Sequence, residues 1–223
     1  MSGEQVRAFR KELQLSQQKA ARRWKVSQPY LSLMEHGHRR VPDRLARSLV
    51  AGERRLATAL PLKSVVDVDD LPVLLGTLGY PGFAYLEDPK TASNPAAVLL
   101  ASLKAPYLPA RVTEALPWLL VTFPSLDWGW LLDQVKLSNV QNRLGYLVGL
   151  ARDVANSKGE TAVASKLDDV QRRLEESRLA KEDSLGRYLT EVERQQLREH
   201  RPESAAHWNL LTNLKSSDLR YAV

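Results

Sequence analysis

The chain contains no cysteine. That excludes a thiolate nucleophile, a cysteine-ligated zinc or iron–sulfur centre and any disulfide, and it fits a reducing compartment. Long apolar runs are missing too: no stretch approaches the roughly 18 to 20 residues a membrane helix needs, and the opening MSGEQVRAFRKELQ lacks the apolar core of a signal peptide. A cytoplasmic location without membrane contact is the expectation. No Gly-rich phosphate loop, no paired carboxylates in a recognisable setting and no His-Glu metal helix occurs, so neither a cofactor, a metal site nor enzymatic activity is expected. His36 and His38 flank Gly37, and His200 and His207 stand too far apart in sequence for the spacing and third ligand that zinc requires. Ser16-Gln17-Gln18-Lys19 matches the S-x-x-K of penicillin-recognising enzymes, but the companion motifs are absent and Ser16 is suited to capping a helix.

What is present is ordinary globular composition, 43% hydrophobic and 26% charged over 223 residues, comfortable for two domains. The net charge of +6 is unevenly placed. Residues 1–55 hold thirteen Lys or Arg against five Asp or Glu, a surplus of eight, while the other 168 hold nineteen against twenty-one. A basic block joined to a near-neutral body is the pattern expected when one module meets a polyanion and the other meets something else; a solvated basic face is the bland alternative.

The first segment reads as four or five short helices. Val6, Phe9 and Leu13 recur at helical spacing; Ser16 and Ser27 are candidate N-caps for QQKAARRW and QPYLSLMEH; Gly37 stops the second of these, and Val41-Pro42 starts DRLARSLV. Val26 can staple onto Leu31, and Pro29 lies in a first turn where its missing N–H is not needed. Two short helices about a tight turn, the first carrying Ala20 and Ala21 and the second Leu31 and Met34, form the pattern of a helix-turn-helix. With Trp24, Val26, Leu31 and Met34 committed inward, the helical period turns Gln28, Pro29, Ser32 and Leu33 outward, onto the face that would enter a major groove. A Gln bonds adenine in bidentate fashion and a Leu sits against a thymine methyl, so that face should prefer A·T-containing half-sites. Arg39, Arg40 and Arg44 can reach phosphates, as can Lys19, Arg22 or Arg23 if they lie on the same side.

The run LSQQKAARRWKVSQPYLSLMEHGHRRVPDRL, and VSQPYLSLMEHG most specifically, resembles the lambda-repressor-like or Xre family of DNA-binding domains over residues 4–55. The resemblance implies that Gln17, with Ser27 and Tyr30, binds phosphates, that Gln28 and the outward residues after it read bases, and that Arg10 makes an internal ion pair with Glu35. Two positions depart from the family: Lys25 stands where the turn usually has glycine, a left-handed position costing about 1 kcal/mol, and Leu33 replaces a residue that is often polar.

A break is expected over residues 59–70, where Pro61 and DVDD interrupt the helical pattern. The Gly-, Pro- and aromatic-rich stretch 71–94 should be irregular or carry short strands, and helical patterns then resume from AAVLLASLKA to the final AAHWNLLTNL. Gly145 and Gly149, flanked by Gln141, Asn142, Arg143 and Arg152, suit close helix packing outside a membrane. Trp118, Phe123, Trp128, Trp130 and Tyr146 should form a core. The expected fold is thus mainly α: a helix-turn-helix domain at 1–58, a linker at 59–70, and a mostly helical partner-binding or dimerisation domain at 71–223.

LDWGWLLDQVKLSNVQNRLGYLVGLA, with the preceding LPARVTEALPWLLV, is similar to the carboxyl-terminal domain of AbiEi-type antitoxins. That resemblance implies an autoregulating repressor whose body counters a nucleotidyltransferase-like toxin, although those antitoxins commonly carry a winged-helix amino domain. Gln141, Asn142 and Arg143, at the amino end of a helix whose Leu144, Leu147, Val148 and Ala151 turn inward, are the candidate partner-binding residues. Two other readings stay open: a body that binds a small-molecule effector, and a body that only dimerises. Duplex DNA with a palindromic operator is the expected partner in each, bound by a homodimer because one such module reads only about half a site.

Overall fold

The computed structural model describes residues 1–62, 66–88 and 91–220. It is mainly helical and divides into two compact units, residues 1–56 and 57–223. The division falls within a helix that runs to Ala59, and residues 63–65 of the expected linker lie outside the described residues.

The first unit is built from α1 (Gly3–Glu12), α2 (Gln17–Trp24), α3 (Gln28–Glu35) and the greater part of α4 (Asp43–Ala59). Each of the first three starts on a serine whose hydroxyl accepts a first-turn amide: Ser2 from Gln5, in a reciprocal capping box, Ser16 from Lys19, and Ser27 from Tyr30. Lys25 ends α2 in the left-handed region (φ 56°, ψ 43°) and Val26 N–H returns to the Ala21 carbonyl, so the chain turns sharply into α3. Val6, Phe9, Ala20, Ala21, Leu31, Met34, Val41, Leu45 and Leu49 are buried together, with Trp24, Val26 and Tyr30 packed against them. The small Ala20 and Ala21 let α2 lie close to α3. One glycine has a role that the sequence did not reveal. A methyl group on Gly3 would stand 1.8 Å from the Met34 carbonyl oxygen, so only glycine lets the start of α1 lie against the end of α3.

The second unit carries α5 (Leu71–Thr77), which corrects the expectation of irregular chain or strands for residues 71–77, while the described residues from 78 to 94 are turn, coil and 3₁₀, including a kinked 3₁₀ stretch at Pro81–Leu86. Leu71, Leu74 and Leu75 supply a buried helical face that outweighs the local glycines and prolines. Then come α6 (Pro95–Lys104), α7 (Ala110–Thr122), α8 (Trp128–Leu137), α9 (Gln141–Ser157) and α10 (Thr161–Glu175). After α10 follow β1 (Asp183–Ser184), α11 (Glu191–His200), α12 (Glu203–His207) and β2 (Leu210–Leu211). The two strands pair in parallel, Asp183 opposite Leu210. The final AAHWNLLTNL, expected as one helix, is helical only to His207; Asn209 takes a left-handed φ of 53° and redirects the chain into β2. Phe123, Trp128 and Tyr146 are buried and Trp118 and Trp130 pack against the same core, with Tyr80 meeting Trp118 edge-on at 5.2 Å. Among the described residues no helix is long and apolar enough to cross a membrane.

Helix α9 lies between α10 and α7 and receives the carboxyl-terminal segment on its remaining side. Tyr146 donates its hydroxyl to the Leu214 carbonyl, and burial pushes its phenol up to about 12. Trp208, 1% exposed, lies on Gly145: a methyl there would come within 2.4 Å of two ring carbons. Gly149 faces only the flexible Gln171 amide, 3.4 Å from where its methyl would be. Gly145→Ala should therefore destabilise the fold by about 1–3 kcal/mol through overpacking. Gly149→Ala should be neutral or stabilising by up to about 1 kcal/mol through helix propensity. Urea unfolding of the two variants checks the contrast, which equal midpoints would refute.

Candidate nucleic-acid interface

The outward side of α3 is held in place from inside. Glu35 is buried, its side chain 0% exposed, and Arg10 grips it as a fork, Nε to Oε1 at 2.6 Å and Nη2 to Oε2 at 2.9 Å, while Arg10 Nη1 donates to the Leu15 carbonyl at 2.9 Å. The same carboxylate accepts from Gln17 Nε2 at 2.9 Å, and Gln17 Oε1 in turn accepts from Gln28 Nε2 at 3.0 Å. A single chain of hydrogen bonds thus links α1, the end of α3, the start of α2 and the start of α3. Burial pushes the Glu35 carboxyl up, but the hydrogen bonds from Arg10 and Gln17 and the charges of Arg10 and Arg7 outweigh it, holding the group below the usual carboxylate range.

Gln28 is exposed at the amino end of α3, and its bond to Gln17 uses one of its two N–H groups. The other N–H and Oε1 remain, one donor and one acceptor, which match the N7 acceptor and the N6 amino donor of adenine. Pro29 is exposed beside it, Ser32 is half-buried, and Leu33 is 42% exposed, unusually for a leucine in so small a unit. Gln17 is more committed than a phosphate contact alone requires, since both ends of its amide are engaged and one N–H is left over. The Ser27 hydroxyl accepts the Tyr30 amide at 3.3 Å and keeps its proton to donate, whereas the half-buried Tyr30 packs against the core. Arg39, Arg40 and Arg44 are exposed past the carboxyl end of α3, with Arg40 only 4.0 Å from Asp43 in a solvated pair. Lys19, Arg22 and Arg23 are exposed on α2. Spacing gave no hint of the Gln17–Gln28 bond, which depends on how α2 and α3 cross.

The second unit corrects one expectation. Gln141, Asn142 and Arg143 are not available to a partner, because the amino end of α9 is covered by residues 177–183. Gln141 is 4% exposed and donates to the Ser177 carbonyl at 3.0 Å; Asn142 is 2% exposed and brackets Leu179, donating to its carbonyl and accepting its N–H, both at 2.8 Å. Arg143 forks onto Asp183 at 2.7 and 2.8 Å and caps the Leu103 and Ala105 carbonyls at 2.8 and 3.1 Å. The helix period leaves these side chains at an exposed helix end, and it carries no information on the chain that folds back over them after α10. A cleft of about 410 Å³ opens beside them, lined by Asn142, Arg143, Lys181 and Asp183 among others. Asn142, Arg143 and Asp183 are spent on one another and on backbone, which leaves Ser138, Asn139 and Lys181 as the uncommitted polar side chains of the cleft. No family model, no curated protein and no solved structure matches this chain.

Proposed function

We propose that this chain is a sequence-specific transcriptional repressor of the lambda-repressor-like type, in which residues 1–56 bind duplex DNA with α3 in the major groove. One observation carries the reading: Gln28 is held at the exposed start of α3, with a donor–acceptor edge free, by bonds that lead back through Gln17 to the buried Glu35–Arg10 pair. Pre-ordering a base-reading side chain lowers the entropy lost on binding. The surplus of eight positive charges in residues 1–55 supplies the sequence-independent attraction, and the exposure of Arg39, Arg40 and Arg44 just after α3 supports a phosphate-binding role for them. Leu33 gives the same face an apolar contact for a thymine methyl. Two copies on a palindrome, with half-sites about 34 Å apart, complete the reading, and the second unit carries the dimer contact.

The test is a selected operator measured against random duplex at several salt concentrations. Gln28→Ala should weaken operator binding by about 1–3 kcal/mol and leave random duplex nearly unchanged, whereas Arg39→Ala should weaken both alike and reduce the salt slope by about one. Equal losses on both duplexes for Gln28→Ala would sink the base-reading role. A monomer on the operator in sedimentation would end the palindrome model.

A further inference from the structure

The second unit displays two aromatic rings that its core does not use. Tyr107 is 56% and Tyr188 77% exposed, and their rings lie nearly parallel, 8° apart in plane with centroids 6.5 Å apart. They come from loops that are tied together. The Leu108 N–H donates to the Gly186 carbonyl at 2.7 Å, and Leu108 and Leu185, the buried neighbours of the two loops, anchor them in the core. Gly186, at φ 62°, lets the Leu108 side chain approach to where its methyl would be, and Ser184 closes the second loop by accepting the Arg187 N–H and donating to its carbonyl. The loop backbones that carry the two rings are thus tied to each other.

Exposed cations flank both rings. Lys104, Arg111 and Arg187, each within four positions of one of the rings, are exposed and, among the described residues, sit in no salt bridge, although the charge of Arg187 helps to hold the Glu193 carboxyl below its usual range. The acids of the second loop and of the helix after it are engaged: Asp183 with Arg143, Glu182 with Arg198 and Arg201, Glu191 with Arg198, and Glu193 in the capping box of α11. Half-buried Glu114, one turn after Arg111, is the nearby acid outside this set. Protein-binding hot spots place aromatics in an apolar, lysine-poor centre, whereas exposed rings flanked by solvated cations suit flat, negatively charged chains.

We propose that Tyr107 and Tyr188 form a stacking platform for unpaired bases, with Lys104, Arg111 and Arg187 holding the phosphates, so that the second unit binds single-stranded nucleic acid. This surface is separate from α3 and does not depend on duplex recognition by the first unit. The test uses the full chain and labelled 12-mers of oligo(dT) and oligo(rU) at low salt. Tyr188→Ala and Tyr107→Ala should each weaken binding of whichever oligomer binds, roughly five- to hundredfold, as expected for one lost base–aromatic stack, while Tyr188→Phe keeps the stack and the affinity. Preference between the two oligomers tells a DNA strand from an RNA strand. Arg39→Ala should cut duplex binding and leave oligomer binding nearly intact. No binding of either oligomer, or binding indifferent to both alanine variants, overturns the proposal. So does a Tyr188→Ala variant that dissociates a dimer without changing oligomer affinity, since the rings would then belong to a contact between copies. Tyr188 is mostly exposed, so circular dichroism should show both of its variants folded.

Discussion

Glu35→Ala is expected to destabilise the first unit by about 3–5 kcal/mol, the cost of stranding one member of a buried ion pair. The carboxylate has no exposed side-chain surface, and Arg10, 13% exposed, would keep its charge with the Leu15 carbonyl as its remaining partner. Gln17 would lose the acceptor for its Nε2, and Gln28 would then hang from a side chain that is itself unheld. A domain of about 56 residues has a total stability of roughly 3–8 kcal/mol, so this one change should bring the unit close to half-unfolded at room temperature. Loss of the helical signal at a lower urea concentration than in the parent checks it. A variant within 1 kcal/mol of the parent would mean that the pair does not support the fold.

The same carboxylate sets a pH dependence of definite sign. Its folded-state value lies below that of the unfolded chain, so the stability it contributes is complete above the ordinary glutamate range near pH 4.5 and is lost as pH falls through the lowered folded value. Acid should therefore loosen the first unit at the Arg10–Glu35–Gln17 junction. In Glu35→Gln that part of the acid sensitivity should vanish, and the parent-minus-variant stability difference should shrink as pH drops below 4.5. A difference that stays flat from pH 6 to pH 2 would contradict the assignment. If α3 reads duplex DNA as proposed, that affinity should follow the same curve, because Gln28 is positioned through this junction.

Local chemistry was the most legible layer of the sequence. Ser16 and Ser27 could be read as caps because a short hydroxyl before an amphipathic run has few other uses, while the left-handed turn at Lys25 followed only from the resemblance, which has glycine there. The inward set Leu31 and Met34 followed from helical period alone. What failed depended on contacts distant in sequence. Residues 71–77 read as irregular because glycine and proline dominate the stretch locally, yet Leu71, Leu74 and Leu75 find a core made by later helices. The Gly3 approach to Met34 and the fit of Trp208 on Gly145 join residues 31 and 63 positions apart, and periodicity carries no information at that range. The Gln141–Arg143 trio failed for the same reason: its partners lie 36 to 40 residues away.

That trio gives the second large effect. Arg143→Ala should destabilise the second unit by about 3 kcal/mol, near the lower end for a broken buried pair because Asp183 keeps 31% of its side chain in water. The loss has two parts. Asp183 loses both bonds of its fork, and the Leu103 and Ala105 carbonyls, at the end of α6, lose the donor that satisfies them. Asp183→Ala removes only the first part and leaves the guanidinium on the two carbonyls, so it should cost less than Arg143→Ala. Arg143→Lys should recover only part of the loss, because a single ammonium cannot reach a carboxylate and two carbonyls as the planar fork does. For a unit of this size 3 kcal/mol corresponds to a fall of roughly 6–12 °C in melting temperature. The ordering Arg143→Ala, then Arg143→Lys, then the parent separates a clamp from a partner-binding side chain: an exposed contact residue would leave melting unchanged in all three while altering only what the protein binds. Coupling between Arg143 and Asp183, measured by the double-variant cycle, should fall within about 0.5–3 kcal/mol; a value near zero would place the whole effect on the α6 carbonyls.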